Sequence, residues 1–399
     1  MPPADDRPRA LRAFILLYVS MYAAFGVASP FWPRFFETRG MSPQQIGFLL
    51  GLGTIVRLIA GPVAARVADR WQQLRLTLAA AAALAACLAF GLPWVGGFWI
   101  LLTVRLLHEA ALAPTTSLAD ALALGASRSR ALPGMGFEYG WVRGAASAAF
   151  VFGTLVAGQV IGWTALTSIA WMHGILLLGA AASTRLLPAP DGRTDAAPEP
   201  SSYGVVRDLM GIVVFRRMVL IAALVFGSHA LHDAFAVIRW TAAGISPATI
   251  SVLWSEAVVA EVIVFILIGP RLVDTLGPGV SAAIASMAAI LRWIVMASST
   301  DAGALAIVQP LHGLTFALLH LACMRLIGAA VPRRLAATGQ AIYALGPGLI
   351  TALLTLSSGM LYARLGAGGF LWMALLSALA LPLCAGLRSP VQSSDRPWR

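Results

Sequence analysis

The 399-residue chain is 59% hydrophobic and only 11% charged, with a formal net charge of +11. A soluble domain of that length needs far more charge on its surface, so the bulk of this chain is expected in lipid. All 28 Lys+Arg positions are arginine, and their placement between apolar stretches accounts for the positive excess without nucleic acid.

Twelve apolar stretches of about 20 residues are each long enough to cross a hydrocarbon core of about 30 Å. They run over 13–36, 44–65, 74–95, 98–124, 139–161, 165–187, 215–239, 248–269, 279–299, 303–329, 335–359 and 367–387. The first follows a polar stretch, has full spanning length and lacks a small-residue cleavage pattern, so it is read as a retained helix. Between the sixth and seventh lies the polar run Pro188–Ser202, rich in Pro, Ser and alternating charge, which cannot build a core and reads as a linker. The expected organisation is an N-terminal six-helix bundle over 1–187, a linker over 188–206 and a C-terminal bundle over 207–399.

Arg66, Arg70, Arg75, Arg128, Arg130, Arg216, Arg217, Arg333 and Arg334 fall on one side of this pattern, against Arg34, Arg39, Arg239 and Arg364 on the other. The positive-inside rule then puts both termini in the cytoplasm. Cys87, Cys323 and Cys384 sit inside apolar stretches with no paired or metal spacing, and read as buried small side chains.

The chain also repeats itself. Gly40-Met41-Ser42-Pro43 with Ile46 recurs 204 residues later as Gly244-Ile245-Ser246-Pro247 with Ile250. Arg66-Val67-Ala68-Asp69 recurs as Arg271-Leu272-Val273-Asp274, and His108 matches His312. A parallel repeat of two six-helix halves resembles the major facilitator superfamily, whose substrate site lies near the membrane midplane between the halves. The fold class expected is therefore an all-α membrane protein with twelve helices in two pseudo-symmetric bundles.

An ionisable side chain deep in a bilayer costs several kcal/mol unless it meets a partner or water, so each one is a candidate for function. Segment two carries Arg57, and segment four carries Arg105, His108 and Glu109, with Arg105 and Glu109 spaced to pair along one helix. Segment seven holds His229, His232 and Asp233; segment eight Glu256 and Glu261; segment nine Arg292; segment ten His312 and His320. The signs nearly balance, with Glu256 left over. Arg292 and Glu261 read either as a structural ion pair or as part of a proton-exchanging group. Adjacent pairs such as His108 with Glu109 are too sparse for a metal site, no hydrolase or phosphate-binding motif is present, and neither a metal nor an enzyme activity is expected.

At the end of segment two, Ala68-Asp69-Arg70 resembles the core of the major-facilitator signature loop, although Ala65 replaces its glycine and Trp71-Gln72-Gln73 its Gly-Arg pattern. The resemblance implies a cytoplasmic gate of Asp69, Arg70 and Asp120, with Asp69 at the N-terminus of helix eleven and Arg70 meeting Asp120. A finer likeness covers nearly the whole chain. Pro30-Phe31-Trp32, Tyr139-Gly140, Ser228-His229-Ala230, Leu253-Trp254-Ser255, Leu291-Arg292-Trp293, Leu311-His312, Thr315-Phe316, His320 and Tyr343 resemble the phenylpropionate-permease type of proton symporter.

That resemblance implies proton-coupled uptake of an aromatic carboxylate such as 3-phenylpropionate by alternating access. Glu261, Glu109 and Asp233 are the candidates for proton coupling. Arg57, Arg105, His229, His312, His320, Phe31, Trp32, Trp240 and Phe316 are the candidates for substrate binding. Arg105, His108, Glu109, Asp233 and Glu256 stand where that type has apolar or uncharged residues, which keeps a sugar, nucleoside or drug carrier open as the alternative. A non-transporting membrane enzyme or sensor is the more remote one. The expected setting is a monomer in a bacterial inner membrane, energised by the proton gradient without a cofactor, with a small molecule, protons and lipid as its partners.

Overall fold

A computed structural model describes residues 6–128, 137–188 and 203–387, all helix and short connections. The helices are α1 Asp6–Ala28, α2 Trp32–Thr38, α3 Pro43–Trp71, α4 Leu74–Gly91, α5 Phe98–Arg128, α6 Tyr139–Trp163, α7 Ser168–Ser183, α8 Tyr203–Gly211 and α9 Val213–Gly227. They continue as α10 Ala230–Ala242, α11 Pro247–Ile263, α12 Gly269–Ser298, α13 Ala302–Val308, α14 Leu319–Ala330, α15 Ala336–Leu365 and α16 Gly369–Cys384. The expected spans one, seven and ten are each divided into shorter pieces. The expected linker lies largely outside the described residues, which resume with α8. Arg130 also lies outside them.

Nine stretches among the described residues are long and apolar enough to cross a membrane. Two of them, of 52 and 47 residues, have the length of two crossings each. The first is broken by Gly277, whose φ of 80° ends one helix just before Pro278 opens the next. α5, at 31 residues, adds a further helix long enough to cross. Twelve crossings are consistent with this count.

The repeated sequence motif has a repeated local structure. Gly40 and Gly244 both take a left-handed φ, 78° and 84°, which closes the turn before the next helix. Ser42 and Ser246 then cap α3 and α11, their hydroxyls accepting from the backbone N–H of Gln45 at 3.3 Å and Thr249 at 3.2 Å. Gln45 returns the bond to the Ser42 N–H at 2.9 Å, a capping box. Pro43 and Pro247 fill the first helical position, where no N–H is needed.

The repeat also interrupts its helices at equivalent depths by different means. Pro62 in α3 and Pro114 in α5 each remove an N–H from the helical ladder. Their equivalents 204 residues later, positions 266 and 318, fall within two π-helical turns, Val264–Ile268 and Gly313–Leu318. A π turn breaks the same ladder by inserting a residue.

The described chain forms two compact units. The first draws on Met1–Met41, Leu52–Ala196 and Ser246–Val252, the second on Ser42–Gly51, Ala197–Ile245 and Leu253–Arg399. In the first, α1 and α6 approach closely: a Cβ on Gly153 would lie 2.5 Å from the Ala23 carbonyl oxygen, and one on Gly26 would strike the Phe150 carbonyl. Without a hydrophobic force between helices in lipid, such small residues are what permits the contact. Gly153→Leu should therefore cost about 1–3 kcal/mol by overpacking. Thermal unfolding in detergent checks it, and an unchanged melting temperature would mean that α1 and α6 do not pack this way.

Candidate functional site

Each unit holds one buried polar network. In the first, Arg105, His108 and Glu109 share one face of α5 through i, i+3 and i+4 spacing. Glu109 is gripped from both sides. Its Oε1 accepts from the Arg105 guanidinium, while its Oε2 accepts from Arg57 Nε at 3.0 Å and Nη2 at 2.7 Å. These are charge-assisted bonds of the stronger kind. Arg105 also donates from Nη1 to His108 Nδ1 at 2.9 Å, and its guanidinium carbon sits 5.2 Å from the Trp32 ring centroid. Phe36 flanks it at 5.9 Å, so an aromatic wall stabilises this charge from the side. His108 Nε2 lies 3.1 Å from His173 Nε2, and His173 Nδ1 donates to the Ala24 carbonyl at 2.8 Å.

Two guanidiniums and one carboxylate leave this network one positive charge in excess. Its members differ in access. The side chains of Arg105 and Glu109 are 7% and 4% exposed, while that of Arg57 is 58% exposed. Arg57 and Arg105, grouped together as substrate candidates, are thus separated: both hold Glu109, but the Arg57 side chain stays exposed whereas that of Arg105 is enclosed.

In the second unit the hub is Arg292 on α12, fully buried. Its Nη1 lies 3.2 Å from His312 Nδ1, and its Nη2 lies 3.3 Å from His232 Nε2 and donates to Gln309 Oε1 at 2.6 Å. An arginine only donates, so both ring nitrogens facing it are bare and both imidazoles are neutral. Each ring must then carry its proton on the far nitrogen. His232 Nδ1 donates to Asp233 Oδ1 at 3.1 Å, and His312 Nε2 lies 3.5 Å from Glu261 Oε2. Arg292 therefore reaches Glu261 through the His312 ring, in place of the simple ion pair expected from the sequence. One guanidinium faces two carboxylates across two imidazoles, which leaves one negative charge in excess. The Asp233 side chain is 59% exposed and that of Glu261 24%.

Around this hub, Trp254 stacks on His232 and Phe316 on His312, with ring centroids 5.1 and 5.7 Å apart. His320 contacts the Tyr343 hydroxyl at 3.1 Å. His229 donates from Nδ1 to the Val225 carbonyl and meets Thr315 Oγ1 at Nε2, both at 3.0 Å. With both nitrogens engaged, His229 is internal and not a substrate contact in this structure. Phe31, Trp32 and Trp240 are likewise packed inside their own units and give no open wall. Glu256, left over in the sequence pairing, has a buried Oε1 without a hydrogen-bond partner among the described residues.

The Arg70–Asp120 contact expected at the end of segment two is not formed among the described residues. Asp69 and Arg70 are exposed. Asp120 Oδ1 instead accepts from the Tyr18 and Tyr139 hydroxyls at 2.5 and 2.6 Å, with Arg143 Nη1 at 3.7 Å. With those donors in place, Arg70 makes no pair with Asp120 among the described residues. Arg143 in turn donates to the Tyr22 hydroxyl at 2.6 Å. His173, Gln309 and these tyrosines were not among the sequence candidates. His173 carried the same signal as His108, an imidazole inside an apolar span, whereas a tyrosine in a span is too common to single out.

A repeated all-helical membrane fold with a charged network buried in each unit is an arrangement found in membrane transporters. The sequence matches the MFS_1 like family over residues 11–374, and the chain belongs to it, within the major facilitator superfamily. It is 31% identical over 383 residues to a protein of Escherichia coli (strain K12) named a probable 3-phenylpropionic acid transporter, covering 94% of this chain and 97% of that one. It is 26% identical over 359 residues to the maltose permease of Geobacillus stearothermophilus, covering 88% and 87%. Among solved structures the nucleoside transporter NupG superposes with a TM-score of 0.78 at 16% identity, covering 95% of this chain and 98% of that one. A D-xylose-proton symporter superposes with a TM-score of 0.68 at 13% identity, covering 96% and 97%.

Proposed function

We propose that the protein is a proton-coupled symporter that imports a small organic acid, an aromatic carboxylate such as 3-phenylpropionate, by alternating access. The observation that carries this reading is the opposite charge excess of the two networks. An excess guanidinium charge suits a carboxylate, while Trp32 and Phe36, both buried, brace Arg105 from inside the unit. Arg57, open to its surroundings, is the group that receives it. An excess carboxylate charge around Arg292 suits a proton, taken by Glu261 or Asp233. Glu109, the other coupling candidate, already has both oxygens committed to guanidiniums. Substrate and proton together neutralise both networks, the condition under which burying them costs least.

Arg57 and Glu261 support this division of labour. They occupy equivalent positions of the repeat, 204 residues apart, and each pairs with the helix that follows the equivalent turn, Arg57 with Glu109 and Glu261 with His312. The sign of the charge is reversed between the units. The name of the Escherichia coli relative supports an aromatic acid as cargo. We place the protein as a monomer in the bacterial inner membrane with both termini cytoplasmic, following its loop arginines. It needs no cofactor beyond the proton gradient.

The maltose permease relative keeps a sugar as the second reading. Uptake of labelled 3-phenylpropionate, maltose and a nucleoside into proteoliposomes, with and without an inward proton gradient, separates them. Accumulation of the aromatic acid only under the gradient is expected. Accumulation of a neutral sugar with indifference to the acid would overturn the assignment.

A further inference from the structure

The first network contains more histidine than its charges need. Arg105, His108, His173 and the Ala24 carbonyl form one continuous line, with contacts of 2.9, 3.1 and 2.8 Å. Both ends of that line have fixed roles: a guanidinium can only donate, and a carbonyl can only accept. His108 Nδ1 is therefore bare, so its proton is on Nε2 and points at His173. His173 Nε2 must then be bare too, which puts its proton on Nδ1, toward Ala24. One assignment of protons satisfies every contact.

We propose that His108 and His173 form a one-way chain of neutral imidazoles that braces Arg105, and that neither takes up a second proton during transport. His173 is the anchor. It ties α7 to α1 through Ala24 and fixes the ring of His108, which in turn fixes the plane of the Arg105 guanidinium against Trp32.

The balance of charge around the pair favours the same state, two guanidiniums outweighing the single Glu109 carboxylate. Arg105 and Glu109 face it from α5, Arg57 from α3 through Glu109, and Trp32 from α2, its ring edge-on at 6.1 Å to His108 and 5.9 Å to His173. A further proton on either ring would have to enter a nitrogen that already accepts a bond. At His108 it would oppose an Arg105 N–H, and at His173 it would oppose the His108 N–H. In the second unit the two imidazoles on Arg292 meet carboxylates, which can take a proton. Here the line ends on a carbonyl, which cannot.

Fixing Arg105 has a consequence for transport that rests on the carboxylate reading above. With Arg105 enclosed on Glu109 and His108, Arg57, which shares Glu109 but keeps an exposed side chain, is the guanidinium within reach of a substrate. His173 is thus a positioning residue acting through His108 and Arg105.

Nitrogen NMR on protein with isotope-labelled histidine, in lipid bilayers, tests the proton assignment without any substrate. From about pH 5 to about pH 8, His108 should show a protonated Nε2 and bare Nδ1, and His173 the reverse, with no imidazolium from either. The opposite tautomers, or a charged ring on either residue in that range, would overturn the brace. His173→Gln, whose amide oxygen can still accept from His108, should keep the His108 tautomer, whereas His173→Phe should lose it. In uptake, His173→Phe should raise the KM for an anionic substrate about tenfold with little change in maximal rate, and His173→Gln should recover most of that loss. A His108 tautomer indifferent to both changes would show that His173 does not set it. Correct tautomers with an unchanged KM would instead retain the brace and count against Arg57 as the carboxylate receptor.

Discussion

Glu261→Gln is expected to abolish uptake against a concentration gradient while leaving exchange of substrate across the membrane intact. The amide has the shape of a protonated carboxyl and can still meet His312 Nε2, which lies 3.5 Å from the native carboxylate. It cannot release a proton, so the cluster around Arg292 would stay in its loaded charge state on both sides of the membrane. Exchange needs only the loaded carrier to reorient, whereas net accumulation needs the unloaded carrier to return with its proton site emptied. Asp233→Asn is the necessary partner measurement, because Asp233 reaches Arg292 through His232 in the same manner. Proteoliposomes with an imposed pH gradient should show internal substrate levelling at equilibrium for the coupling variant alone. If the variant lacking both carboxylates still concentrates substrate, proton coupling does not reside in this network.

The spans and their repeat were legible because lipid leaves few solutions for a backbone. Apolar runs of about 20 residues must be helices in a bilayer, since every N–H and C=O has to be satisfied within the segment. Gly40 with Ser42 and Gly244 with Ser246 were visible as a motif, and the structure gives the motif its reason, a left-handed turn followed by a cap. The charged residues were visible for the opposite reason, being costly where they stand. Their partners were harder to see. Helical spacing predicts Arg105 with Glu109 on one helix, but it carries no information on contacts between helices, such as Arg57 with Glu109 or Arg292 with His232. The Arg70–Asp120 contact, implied by the resemblance to the signature loop, is not formed among the described residues, where two phenols reach Asp120. The π turns at 264–268 and 313–318 were invisible because no residue type demands them, whereas Pro62 and Pro114 announce the equivalent breaks in the first half.

Glu109→Gln should damage the fold more than any change in the second network. The native carboxylate is 4% exposed and satisfies two guanidiniums at once. Arg57 can turn its exposed head to water if that partner is lost, but Arg105 cannot. It lies under Trp32 and Phe36 with an Nε that already lacks a hydrogen-bond partner among the described residues. Removing one member of a buried pair leaves an uncompensated charge and costs about 3–5 kcal/mol. A large fall in melting temperature and in yield of folded protein is therefore expected. Pairing the change with Arg105→Met should recover much of the loss, since the buried charge leaves with its partner and a side chain of similar length fills the space. Thermal unfolding of the single and double variants, followed beside uptake, separates structure from transport. A single variant that melts like the native protein yet fails to transport would return Glu109 to the coupling role that its depth in the membrane first pointed to.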